Sequence, residues 1–333
     1  MAYTTINKSK DHFDGKIYLG SSSAVTVTGL EFQPDLVWVK DRDNGNNHCW
    51  VDAVRGVGKY IQSDNTSAEV NNSTNSISAF TSDGFTTGTG NPANESASTT
   101  KGFMSWNWKA GTTGSGTTTG SGTGKAYSYS VNTTAGFSII KFIGNGTAGH
   151  TIPHHLGAKA DFVIIKGLAS GRQWSVGSSG LGWTKELFLD ATNSANTSAS
   201  PWYDTAPSST VVTLGTGSNG NTNDETYIMY AFSTKTGYSK FGSWTGNGNA
   251  DGPFVYTGFK PAFILSKRSD TGDTSEWYLV DNKRVGYNPN NYAIYPNLSN
   301  TENTTERMDF LSNGFKLRQT SIENNASGGT YIY

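Results

Sequence analysis

Apolar residues along this chain come in short runs bounded by Gly, Asn, Asp and Ser, the spacing expected of strands and turns. Leu36-Val37-Trp38-Val39 and Phe162-Val163-Ile164-Ile165 are unbroken apolar runs, as strands covered on both faces require. Tyr227, Met229 and Ala231 alternate with Ile228, Tyr230 and Phe232, so both faces of that strand are again apolar. No window carries a sustained helical stripe; the nearest, from Asp52 to Ile61, is interrupted by Gly56 and Gly58. Asn145-Gly146, Asn247-Gly248 and Asn313-Gly314 are expected to supply the positive φ of tight hairpins.

The runs recur in one order, three times, and such periodicity outranks any local signal. Gln33-Pro34-Asp35-Leu36-Val37-Trp38-Val39-Lys40 matches Lys159-Ala160-Asp161-Phe162-Val163-Ile164-Ile165-Lys166 and Lys260-Pro261-Ala262-Phe263-Ile264-Leu265-Ser266-Lys267. A polar turn then leads to Trp50, Trp174 and Trp277, read as one repeat position and hence core. Each copy closes on an aromatic strand: Gly102 to Trp108, Thr226 to Phe232 and Thr330 to Tyr333. By analogy with Trp106 and Tyr230, a full third closing strand would run about four residues further. Six or seven strands per copy give the expected fold class: all-β, three tandem antiparallel β-sandwich units of jelly-roll type. The expected divisions are 1–109 (repeat one with a short N-terminal arm), 110–126 (a Gly/Ser/Thr-rich flexible linker), 127–233 (repeat two) and 234–333 (repeat three). The short junction Thr234-Lys235-Thr236 suggests that repeats two and three pack as a pair, with repeat one freer. Long polar loops at 63–76 and 191–200 are expected to be binding or packing surfaces.

Composition narrows the function. Lys and Arg number 25 against 26 Asp and Glu, so no basic footprint for nucleic acid is present. Charged residues are 15%, against roughly 25% in ordinary domains, while aromatics at 12% argue against disorder. The lone Cys49 excludes an internal disulfide and a multi-cysteine zinc site. No apolar run is long enough to span a membrane, and the start has no apolar core of a secretory signal.

The search for chemistry yields little. Asp35 and Asp161 share a repeat position, but the third copy has Ala262, so a turn role is expected. Asp41 and Asp43 lie close together, yet no counterpart recurs, and a glycosidase needs two carboxylates flanking a cleft. His150, His154 and His155 read as a strand-entry turn, since a metal needs three or four ligands in fixed geometry. Residues 221–225 and Asp270-Thr271-Gly272-Asp273 offer oxygen ligands but no full calcium loop. No phosphate loop and no nucleophile elbow occur. The expectation is therefore no catalytic residue, no cofactor and no metal. Aromatics found in one copy only, Trp183, Trp202, Tyr203, Tyr287 and Tyr292, are the candidates for glycan or partner binding.

Several segments together carry a family resemblance. They are Met1-Ala2-Tyr3-Thr4-Thr5-Ile6-Asn7-Lys8-Ser9, Phe32 to Lys40, Phe137-Ser138-Ile139 with Gly144-Asn145-Gly146-Thr147-Ala148-Gly149, Ile152-Pro153-His154-His155-Leu156-Gly157, and Phe254 to Phe263. As a set they resemble tandem-repeat virion structural proteins of tailed bacteriophages, chiefly marine ones, whose repeats look like concanavalin A-type lectin domains. The resemblance covers essentially the whole chain, which departs from it at His155, where a glycine is usual. It implies a non-enzymatic virion surface protein, a tail-fibre or adhesin component contacting host surface glycans. The alternative is a capsid or tail decoration protein. It also implies other virion proteins as partners, a host surface polysaccharide as a further one, and a homo-oligomer, a trimer by analogy. Neither nucleic-acid binding nor membrane insertion is expected. Synthesis in the host cytoplasm and release by lysis fit the lack of a signal and of disulfides.

Overall fold

The computed structural model describes residues 4–169, 171–270, 275–305 and 307–333. Met1, Ala2 and Tyr3, and Thr271, Gly272 and Asp273 of the calcium candidate, lie outside them. The described chain is all-β, with multiple antiparallel sheets and a single-turn helix at Ala199–Trp202.

One strand order occurs in each repeat: opening, closing, lysine-bearing and return strand, side by side. The opening strands are Phe13–Tyr18, Phe137–Ile143 and Ser243–Thr245. The lysine strands are Leu36–Asp41, Phe162–Gly167 and Phe263–Arg268. The return strands are Cys49–Asp52, Trp174–Ser178 and Tyr278–Asp281. The closing strands are Phe103–Trp108, Thr226–Phe232 and Thr330–Ile332.

Alternation then divides each four-stranded set between two cores. Odd-numbered residues of the closing strands, Phe103, Tyr227 and Tyr331, pack within their own repeat, against a small second sheet containing Phe85, Val212 or Phe315. Even-numbered residues, Met104 and Trp106, Ile228 and Tyr230, and Ile332, all enter one further core. That core draws Trp38 and Trp50 from repeat one, Ile164 and Trp174 from repeat two, and Trp277 and Leu279 from repeat three. Each fully buried tryptophan contributes up to about 4–6 kcal/mol by area removed from water. Repeat one is thus not the freer one: it contributes to this core alongside the other two, and with more of its buried side chains than repeat three.

Strand pairing also corrects the tryptophan alignment. Lys166 pairs with Trp174, and Ser266 with Tyr278, which sets Trp277 opposite Lys267. In repeat one Trp38 pairs with Trp50 and Val39 with Cys49, so His48 is the residue opposite Lys40. His48 is therefore the counterpart of Trp174 and Trp277, and Trp50 is the counterpart of Val176 and Leu279. A slip of two residues keeps every side chain on its face, so the apolar pattern cannot detect it.

The Gly/Ser/Thr segment read as a flexible linker forms the strand Thr112–Thr117, hydrogen-bonded along Ala126–Asn132. Gly114 pairs with Tyr129 and Gly116 with Tyr127, and the tyrosine rings lie across the glycines so closely that a Cβ there would clash. Composition missed this because the neighbouring strand supplies the side chains.

Asn145-Gly146 and Asn247-Gly248 do not close hairpins; they end the opening strands, with Gly146 and Gly248 at φ 70° and 65°. Asn313-Gly314 does join two paired strands, but Gly314 has no positive φ. Three buried asparagines hold these corners alike. Asn94, Asn221 and Asn325 accept the backbone N–H of Ser21, Asn145 and Asn247, at 2.9, 3.0 and 2.9 Å. Each also donates to two backbone carbonyls, for example Asn221 to Thr147 and Gly215. Single-letter matching overlooked them because their neighbours differ.

Candidate functional site

Most of the buried polar chemistry lies along the three seams between repeats. A loop of each repeat lies on the next, and the contacts recur at fixed offsets. The indole N–H of Trp174 donates to the Gln62 carbonyl at 2.9 Å, and that of Trp277 to Phe188 at 2.8 Å. At the third seam His48 Nε2 meets the Tyr295 carbonyl at 3.1 Å. Trp38 donates its indole N–H to His48 Nδ1 at 2.8 Å, which leaves the ring proton on Nε2 to serve Tyr295. Burial holds this imidazole well below its ordinary pKa, so it stays neutral.

Four residues further along each loop lies the acceptor for a repeat lysine. Lys166 Nζ reaches the Thr66 carbonyl at 3.2 Å, Lys267 that of Thr192 at 3.0 Å, and Lys40 that of Ser299 at 3.0 Å. All three lysines are fully buried, and burial pushes each ammonium down from 10.5 to about 8. Three residues on again, the amides of Glu69, Ala195 and Glu302 donate to the carbonyls of Leu168, Ser269 and Arg42. Repeat one thus receives the loop of repeat three just as repeat two receives that of repeat one, and the chain closes into a ring. The loops at 63–76 and 191–200 begin as packing surfaces.

Acidic groups are engaged in the same way. Asp52 binds Arg55 at 2.5 Å and accepts the Tyr230 hydroxyl at 2.8 Å. Asp281 binds Arg284 at 2.7 Å and accepts the Trp106 indole at 3.1 Å. Glu302, with no exposed side-chain surface, joins Arg42 at 2.9 Å to Arg284 at 3.1 Å across the third seam. Asp41 accepts the amides of Asp43 and Asn44 and the Ser98 hydroxyl, and Asp43 the amides of Thr100, Lys101 and Gly102. Asp35 and Asp161 accept the amides of Ala110 and Thr234 just past the closing strands, tying each repeat shut. Each of these carboxylates is placed to hold backbone or a cation.

The histidines of the second repeat are separate. His150 bonds Asn221 and Thr118, and His154 bonds the Ser208 carbonyl. His155 stands at φ 58°, a conformation that a glycine adopts without strain, and its ring stacks on Tyr129 at 3.7 Å. Among the described residues, no group of three or more His, Cys, Asp or Glu could hold a metal ion. Cys49 is buried, which pushes its thiol up to about 12.

The five single-copy aromatics do not form one surface. Trp183 and Trp202 are buried in the core of repeat two, edge to face at 5.5 Å. They fit there because Gly177 has no side chain: a Cβ would lie 2.6 Å from Trp183 and 2.8 Å from Trp202. Single occurrence signalled local packing here, not exposure. Tyr203 is 49% exposed and Tyr287 75%, while Tyr292 is half-buried. Tyr256, 55% exposed with Lys240 over its ring, was not singled out by sequence.

A cavity of 310 Å³ opens at one end of the shared core. Its walls are aromatic: Phe13 and Trp108 from repeat one, Phe137 and Phe232 from repeat two, Phe241 and Phe263 from repeat three. Lys10, Lys240, Lys260 and Lys283 also line it, and Lys283 is paired with Asp14. Among the described residues, no helix is long and apolar enough to cross a membrane.

No curated protein and no solved structure matches the chain. One family model does, over residues 8–333, and its description is a domain of unknown function, DUF7483. Since that match spans nearly the entire sequence, the chain belongs to the DUF7483 family.

Proposed function

We propose that this chain is a non-enzymatic structural protein on the surface of a bacteriophage particle, built from three tandem concanavalin A-like β-sandwich units. The observation that carries this reading is the use made of the repeat lysines. Lys40, Lys166 and Lys267 each donate to a carbonyl of the neighbouring repeat, so the three units are joined to one another as a structural scaffold requires. Buried Trp183 and Trp202 favour attachment or decoration over a broad aromatic sugar platform. Exposed Tyr203, Tyr256 and Tyr287 support the second reading, an adhesin or tail-fibre component touching host glycans. Other virion proteins are the partners in both readings, homotrimerisation is part of the proposal, and release follows host lysis. Antibody labelling of intact particles tests it. Label on the capsid or along the tail supports decoration, and label at a distal tip supports adhesion. Its absence from particles, or release of sugar from host polysaccharide by the pure protein, refutes the proposal.

A further inference from the structure

The small second sheet of each repeat has one edge strand in common. Thr26–Val27, His150–Pro153 and Phe254–Tyr256 are equivalent, with Val27, Ile152 and Val255 set opposite Phe85, Val212 and Phe315. In repeat two that edge is covered. Thr119–Gly120 pairs along it, Thr119 opposite Thr151 and Gly120 opposite His150, and Ser121 donates its N–H to the Gly149 carbonyl at 2.9 Å. Pro153, the last residue of that strand, has no N–H to offer. In repeats one and three, among the described residues, no strand pairs on the outer side of Thr26–Val27 or Phe254–Tyr256. These two edges differ in what they show to solvent. Thr26 and Thr28 flank Val27, whereas Phe254, 44% exposed, and Tyr256 flank Val255. Leu317 donates its N–H to the Pro253 carbonyl at 3.2 Å. The alternation of an antiparallel ladder then turns the backbone groups of Val255 inward and those of Phe254 and Tyr256 outward. An edge with apolar side chains, and with neither proline nor charge at its outward positions, is a template for another strand.

We propose that Phe254–Tyr256 is a self-association edge, and that its occupant is the same strand of a second copy of this chain. The pattern complements itself. With a two-fold axis beside Val255, antiparallel pairing sets Phe254 against the partner's Tyr256, and Tyr256 against the partner's Phe254. That gives about four main-chain hydrogen bonds, and an aromatic cross-strand pair on each side of the axis. Charge agrees with the direction. Asp251, exposed although paired with Lys316, precedes the strand. Lys260, exposed and without an ion pair among the described residues, follows it. Antiparallel pairing carries each acidic end to the partner's basic end, whereas parallel pairing would put like charges together. A contact this short buries too little area for a permanent dimer, so the association is reversible and the dilute chain stays unpaired. Tyr256 is thereby withdrawn from glycan contact, while Tyr203 and Tyr287 are untouched. The contact is two-fold, hence separate from the trimer proposed above, and it rests on neither virion reading.

Sedimentation equilibrium of the whole chain over a wide concentration range is the test. The native protein should show a reversible, concentration-dependent doubling of mass. Tyr256→Pro gives repeat three the residue that repeat two carries at this position, and removes an outward N–H but no bond to Gly314–Leu317. Phe254→Lys puts a charge on the edge. Both variants should keep the native circular dichroism and weaken the doubling at least about tenfold. Should Tyr256→Pro unfold, Phe254→Lys alone decides. A trimer formed elsewhere would keep the twofold mass ratio, as hexamer against trimer. A native mass equal to that of the folded variants at every concentration, or a doubling that the folded variants retain, overturns the proposal.

Discussion

The ammonium of Lys40 lies 3.0 Å from the carbonyl oxygen of Ser299, although 259 residues separate them. Lys166 with Thr66 and Lys267 with Thr192 are the same contact made between successive repeats. A repeat array normally leaves its two end units unpartnered on one side. Here the ends meet each other, and the core that results is shared by all three.

Glu302 is the most exposed weakness of that closure. It is the shared anion of Arg42 and Arg284, all three side chains being buried. Removing one partner of such a group leaves charges unpaired in the interior. Glu302→Gln should cost about 3–5 kcal/mol in urea unfolding. A loss below about 1 kcal/mol, the range of exposed pairs, would mean that the seam is open in solution.

His48 gives the same seam an acid sensitivity that the other two lack. Its folded pKa lies well below 6.5, so the unfolded chain binds the extra proton first as pH falls. Stability from this group is present above pH 6.5 and declines below it, by up to about 1.4 kcal/mol per pH unit. Asp64, whose carboxyl burial raises to about 6, opposes this in the same window. The comparison to make is therefore between the native chain and His48→Gln, in which Asp64 is common to both. The variant should lose less stability between pH 6.5 and 5; parallel curves would show that His48 is not held neutral.

The three lysines act at the other end of the scale. Their folded pKa is about 8 and their unfolded pKa about 10.5, so the unfolded state holds more protons between these values. Stability should rise as pH goes from 8 to 9. Above about pH 10 it should fall, because Tyr18, Tyr230 and Cys49, all raised by burial, ionise more readily in the unfolded chain. Denaturant titrations at half-unit steps read both limbs, and a steady decline from pH 7.5 would contradict the lysine limb.

Burial separates the aromatic candidates. Trp202→Ala should destabilise by about 3–5 kcal/mol through the cavity it leaves. Tyr203→Ala and Tyr287→Ala should leave the melting temperature unchanged, and should lower host-cell binding only in the adhesive reading. Thermal melts and a cell-binding assay distinguish these cases.

Much of the secondary structure was legible in the sequence, because a strand with two apolar faces writes both into its residues. Leu36 to Val39 and Tyr227 to Phe232 are examples. What closes the ring was not, because it is written largely in carbonyl groups, which every residue has. Nothing in the side chains of Ser299 or Thr192 marks them as acceptors. The identity of His48 with Trp174 was hidden for a related reason: the shared property is one ring N–H, not size or hydropathy. Trp183 and Trp202 misled because the feature that admits them is an absence, the missing Cβ of Gly177. The strand at Thr112–Thr117 was missed because its neighbour's tyrosines do its packing.

Small-angle scattering on the isolated protein tests ring closure most directly. A closed, compact chain of 333 residues should give a radius of gyration near about 20 Å. Three repeats strung out in a row, with repeat one detached from repeat three, would give a value clearly above about 25 Å, and would contradict it.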